Sequence, residues 1–149
     1  MDELQNLNVI DLLSERHAML HRLVENKWSE HNQIYISNSE WYILSKIYKK
    51  QPTISEVTKS VDFSRQATHK FIKKLQEKGL VEVSNVEHSK KHKAIGMTKF
   101  GEECYEENKR IKIELQQWLV QAIGEDQVSN LKNILKLDWG MERLESPTC

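Results

Sequence analysis

What the sequence lacks excludes more than what it contains. It has two cysteines, Cys104 in mid-chain and Cys149 at the last position, so no disulfide framework is in prospect and a reducing, cytoplasmic setting is expected. No apolar run approaches the ~18 residues of a membrane-spanning helix, so no membrane partner is expected. The opening MDELQNLNVI is acidic and lacks the basic segment and apolar stretch of a secretion signal. Two prolines and five glycines in 149 residues leave no collagen-like or low-complexity tract. There is no glycine-rich phosphate loop, no nucleophile elbow and no HExxH or CxxC spacing. Nothing in the chain calls for catalysis or for a cofactor, and the expectation is that it is not an enzyme.

Net charge is missing too, with 22 basic side chains against 22 acidic. That neutrality is a sum of unequal parts. Residues 1–45 hold three bases and seven acids, a net of −4, whereas 46–93 hold twelve and five, a net of +7. Residues 94–126 return to −3, and the remainder balances. A local positive field attracts polyanions whatever the total says. With 38% apolar and 30% charged residues, the chain suits helices better than a β-sandwich and is long enough for a real core.

Apolar residues Leu4, Leu7, Ile10, Leu13, Leu20 and Val24 recur at helical spacing, with His17 on the same stripe, and predict a first helix that fades near residues 28–32. Ile34-Tyr35-Ile36 reads as an extended connection. Ser37 with Glu40 forms a capping-box pair opening a second helix, which Pro52 is expected to stop. Thr53 with Glu56 repeats the box for a short third helix from Ile54 to about Lys59. Ser64 is a good N-cap for a fourth helix ending near Lys78, where Gly79 suits a left-handed C′ position. Leu80 to Ser84 and Ala94 to Met97 alternate as two strands of a hairpin. Thr98 caps a long fifth helix, Gly124 interrupts it, and Val128, Leu131, Leu135 and Trp139 mark a sixth. Residues 146–149 read as a frayed tail.

Two short helices joined by a tight turn, followed by a hairpin, describe a winged helix-turn-helix. The fold class is therefore mainly α with a small β-hairpin wing and six helices. The fourth helix presents Arg65, Gln66, His69, Lys70 and Lys73 outward from its Ser64 cap. Arg and Gln can pair bidentately with guanine and adenine edges, while Lys supplies phosphate contacts. The hairpin tip carries Lys90, Lys91 and Lys93 and fits a wing lying along a nucleic-acid backbone. A lysine-rich face taken singly is most often a solvated surface; the order of elements turns it into a DNA-reading head.

Residues 37–101 resemble the MarR family of bacterial transcriptional regulators. The resemblance lies in Ser37-Asn38-Ser39-Glu40-Trp41, in ISEVTKSVDFSRQATHKFIKKLQEKGLVEV from Ile54 to Val83, and in Met97-Thr98-Lys99-Phe100-Gly101, which matches the family's Leu-Thr-x-x-Gly. The six-helix layout extends it over nearly the whole chain. It implies an intertwined homodimer with dimerisation helices in 1–36 and 99–149 flanking a DNA-binding domain in 37–98. Each protomer would read one half of a palindromic operator in double-stranded DNA, as a repressor rather than an activator. The wing departs from the family pattern, because no Asp–Arg pair is present and lysines occupy that region.

Family members often bind small aromatic effectors, for which His17 and Trp41 are the candidates here. The ordinary alternative is that Trp28, Trp41, Tyr42 and Trp118 are packing residues. His17 and His21, spaced i, i+4, could hold a metal, but a half-buried His17 beside a surface His21 is the plainer reading and no metal is expected. Cys104 lies among glutamates that raise its pKa, which argues against redox sensing. A competing class is a winged-helix protein-interaction module that does not touch DNA.

Overall fold

A computed structural model describes residues 4–86 and 92–145. Seven helices and one hairpin are present among these residues: α1 (Val9–His31), α2 (Asn38–Ile47), α3 (Ile54–Ser60), α4 (Arg65–Glu77), β1 (Val81–Asn85), β2 (Lys93–Met97), α5 (Lys99–Ile123), α6 (Glu125–Lys136) and α7 (Met141–Glu145). The chain divides into two compact units, Met1–Ile111 and Lys112–Cys149.

In the first unit, local hydrogen bonds set where each helix begins. Asn8 rather than the apolar run at Leu4 starts α1, because its side chain accepts from the Asp11 N–H at 2.8 Å. Ser37 and Glu40 form the complete reciprocal box at α2. The box expected at α3 is only half made: Thr53 accepts from the Glu56 N–H at 3.1 Å, but the Glu56 carboxylate takes the Thr53 hydroxyl rather than its backbone N–H. Pro52 does not stop α2. The helix ends at Ile47, and Lys49 adopts a left-handed φ of 57° that turns the chain.

Pro52 instead serves the sheet. Its carbonyl accepts from the Ile95 N–H at 2.9 Å, and Thr53 bridges Ala94, adding a stub of third strand to the β1–β2 hairpin. A residue without a donor fits such an edge. The hairpin is antiparallel, with Val81 opposite Met97 and Val83 opposite Ile95. Ile43, Leu44 and Ile47 of α2, Val57 of α3, Ile72 and Leu75 of α4, Leu80, and Ile95 of β2 close one core, joined by Trp28 and Cys104. The indole N–H of Trp28 donates to the Ile34 carbonyl at 2.9 Å, which pins the extended connection.

The second unit holds the end of α5, then α6 and α7. Gly124, at φ 95°, breaks the helical run and begins α6 without a side-chain cap. Trp139 lies beyond α6, not on it; its indole N–H donates back to the Ile134 carbonyl at 2.8 Å. The short α7 is an element that the periodicity did not signal. Ile113, Trp118, Leu131, Ile134, Leu135 and Leu137 are exposed in the single chain.

Candidate nucleic-acid interface

The α3–turn–α4 segment is built from the turn outward. Ser64 accepts from the Ala67 N–H at 3.1 Å, and the buried Thr68 hydroxyl donates to the Ser64 carbonyl at 3.0 Å. The first turn of α4 contains no acid, so its partial positive end is left uncompensated and favours an anion. Ser64, Arg65, Gln66, His69, Lys70 and Lys73 are all exposed, whereas Ile72 and Leu75 face the core. The far end of α4 is closed by a Schellman arrangement, in which the Leu80 N–H donates to Leu75 and the Gly79 N–H to Gln76, both at 3.0 Å. Gly79 takes the φ of 76° that this closure requires.

Between α3, α4 and the hairpin lies an open cleft of about 810 Å³. Arg65, His69 and Lys93 line it together with Lys59, Thr58 and Gln76. The last three were not candidates from sequence. Lys59 carried a signal in lying within the basic segment, one helical turn after Ser55, but its direction depends on how α3 packs. None of the described residues lining the cleft is acidic. Such a surface can donate hydrogen bonds to phosphate oxygens and base edges. Lys93 begins β2 and is exposed; Lys90 and Lys91 lie outside the described residues.

The other candidates are placed differently. His17 is exposed and stacks on the half-buried His21 at 5.8 Å, the reverse of the burial expected for the pair. His21 in turn meets Glu25 at 3.2 Å. Among the described residues no three His, Cys, Asp or Glu side chains gather so as to hold a metal ion. Trp41 stands edge-on to Trp28 at 5.1 Å and tilts against Tyr105, which contacts Tyr48 at 4.5 Å. One turn along α5 from Tyr105, Asn108 is buried with its Nδ2 unpartnered among the described residues. His17 lies eleven positions before Trp28 on α1, a rise of ~16 Å along the helix. Cys104 is buried, and that burial, reinforced by Glu107 and Glu103, pushes its thiol up to about 11.

Residues 36–101 match the family described as the winged helix DNA-binding domain. The segment has the winged-helix fold. It carries the whole of α2 to β2 and the first turn of α5, and so includes every DNA-contact candidate. Over most of the chain the winged-helix protein also resembles solved regulators. The reduced form of MarR from E. coli superimposes with a TM-score of 0.73 at 22% identity, covering 87% of this chain and 95% of that one. The S. aureus MepR–DNA complex gives 0.71 at 20% identity, covering 87% and 95%. MepR in its DNA-binding conformation gives 0.66 at 18% identity, covering 87% and 94%. The fold is thus MarR-like, mainly helical with a two-stranded wing. Comparison with curated protein sequences finds no match. No described helix is long and apolar enough to cross a membrane.

Proposed function

We propose that the chain is a cytoplasmic, homodimeric, sequence-specific double-stranded DNA-binding transcriptional regulator of the MarR type, acting as a repressor that a small aromatic effector releases. One observation carries the DNA-reading part: the capped, acid-free N-terminus of α4 presents Arg65 and Gln66 outward beside the basic cleft. Ser64, His69, Lys70, Lys73 and Lys93 flank those two as phosphate and backbone contacts, with Lys90 and Lys91 extending the basic surface in sequence.

Dimerisation is supported by the apolar side chains left exposed on helices that a lone chain would cover: Val9 and Ile10 on α1, and Leu131, Ile134 and Leu135 on α6. Two protomers would place their α4 helices about one DNA turn, ~34 Å, apart in successive major grooves. The aromatic cluster around Trp41 and the buried Asn108 Nδ2, which has no hydrogen-bond partner among the described residues, support an effector site near the base of the DNA-binding domain. Occupancy there would shift the population away from the DNA-competent spacing.

Selection of bound sites from random duplexes tests the reading. A palindrome recovered by the wild-type chain is the expected result. No enrichment at low salt would overturn it in favour of a protein-interaction module whose +7 segment docks on an acidic protein face.

A further inference from the structure

The two ends of α4 are held very differently. Its N-terminal end carries the exposed Arg65 and Gln66, while its C-cap, Lys78, is bound firmly. The Lys78 ammonium donates to both carboxylate oxygens of Glu40, at 2.8 Å and 2.7 Å. The Glu40 side chain is 3% exposed and that of Lys78 25%. The same Glu40 oxygen accepts from the Ser37 N–H at 3.1 Å, so one carboxylate caps α2 and grips α4. Lys78 Nζ also lies 5.6 Å from the centre of the Tyr35 ring. Just beyond, the Gly79 carbonyl accepts from the Thr98 hydroxyl at 2.6 Å.

We infer that Glu40 and Lys78 are a positioning pair for sequence discrimination, an assignment that rests on the DNA-reading proposal above. Neither touches the exposed reading face; they act by fixing the direction in which α4 leaves the start of α2. A 13-residue helix is ~20 Å long, so a rotation of about 5° at its C-terminus moves its N-terminus by ~1.7 Å. Bidentate base contacts need placement within ~0.5 Å, whereas lysines on flexible stems follow a phosphate that far. Loosening the pair therefore weakens specific binding and leaves non-specific binding almost intact. A buried ion pair is a poor source of stability compared with apolar packing but a good device for fixing geometry.

The experiment compares dissociation constants at one salt concentration for the duplex selected by the wild-type chain and for a scrambled duplex of equal length. The variants are E40Q, K78M, K78R and the double variant E40Q/K78M, with a thermal melt of each. Glutamine at position 40 still accepts from the Ser37 N–H, so the α2 cap survives. The double variant leaves no lone buried charge and carries the measurement if a single variant melts early. The specific-to-scrambled ratio is expected to fall about tenfold or more in E40Q, K78M and the double variant, with scrambled binding within about twofold of wild type. K78R, which keeps two donors, should restore most of the ratio. An unchanged ratio, or equal loss of both affinities, overturns the assignment and leaves the pair a stability element. If the wild-type chain selects no duplex at all, the DNA-reading proposal falls first and this one with it.

Discussion

Gly101, in the first turns of α5, passes so close to the Leu80 backbone that a Cβ there would collide with the Leu80 carbonyl oxygen and crowd the Met97 side chain. That carbonyl also accepts from the Thr98 N–H at 3.0 Å, and the Gly101 N–H donates to the Thr98 hydroxyl at 3.0 Å. The base of the wing and the start of α5 are thus one junction. Gly101→Ala should destabilise the fold by about 2–3 kcal/mol, near the upper end of over-packing costs, since backbone rather than a flexible side chain is in the way. Chemical denaturation at constant m-value is the check.

A second junction joins the end of α2 to α5. The Tyr48 hydroxyl donates to Glu106 at 2.9 Å, and this bond, with burial and the nearby charges of Glu106 and Glu102, holds the phenol above its ordinary pKa of 10.0. The folded state therefore keeps the Tyr48 proton longer than the unfolded chain does. Its contribution to stability is full below pH 10 and is lost as pH rises further. The difference in phenolate absorbance between the wild-type chain and Tyr48→Phe isolates this group. Glu106→Gln should move its titration back toward 10.

The thiol of Cys104 should be inert. With its pKa raised from 9.0 to about 11, the thiolate fraction at pH 8 is ~100-fold below that of an ordinary cysteine, before burial slows access further. Site-resolved mass spectrometry after brief alkylation should find Cys104 unmodified in the folded protein and modified in denaturant. The same shift makes stability fall between pH 9 and 11, because the native state binds this proton more tightly over that window.

Arg65→Ala should cost ~1–3 kcal/mol on the selected duplex and relax the base preference at one position. Lys73→Ala should weaken all duplexes alike and shallow the salt dependence by about one unit. Equilibrium titrations at several salt concentrations separate the two. Identical effects on matched and scrambled duplexes for both variants would remove the distinction between base and phosphate contacts.

The order of elements was legible because it is written in short-range chemistry. Ser37 and Ser64 each satisfy an amide three residues on, and Gly79 closes α4 with bonds that reach no further than Leu75. The exposed row from Arg65 to Lys73 follows from helical periodicity once the Ser64 cap is located. Other features resisted the same reading. Trp139 continued the apolar period of α6, yet the chain had already left the helix and turned its indole back to Ile134. Thr68 is polar by type but buried, because its hydroxyl can be satisfied by the preceding turn. Glu106 and Glu107 on α5 receive hydrogen bonds from Tyr48 and Asn32, partners 58 and 75 positions away that no local spacing signals.

By itself, then, the sequence determined the caps of α2, α3 and α4, the hairpin, the concentration of positive charge between residues 46 and 93, and with them the winged-helix layout. Each depends on residues within a few positions of one another or on a simple count. Only the tertiary structure decided that Glu40 meets Lys78 across 38 positions, that Pro52 and Thr53 extend the hairpin, and that α5 crosses Leu80 too closely for a side chain at position 101. Those contacts exist because helices and strands, once formed, bury their apolar faces together. The side chains that packing brings into register leave no periodic trace along the chain.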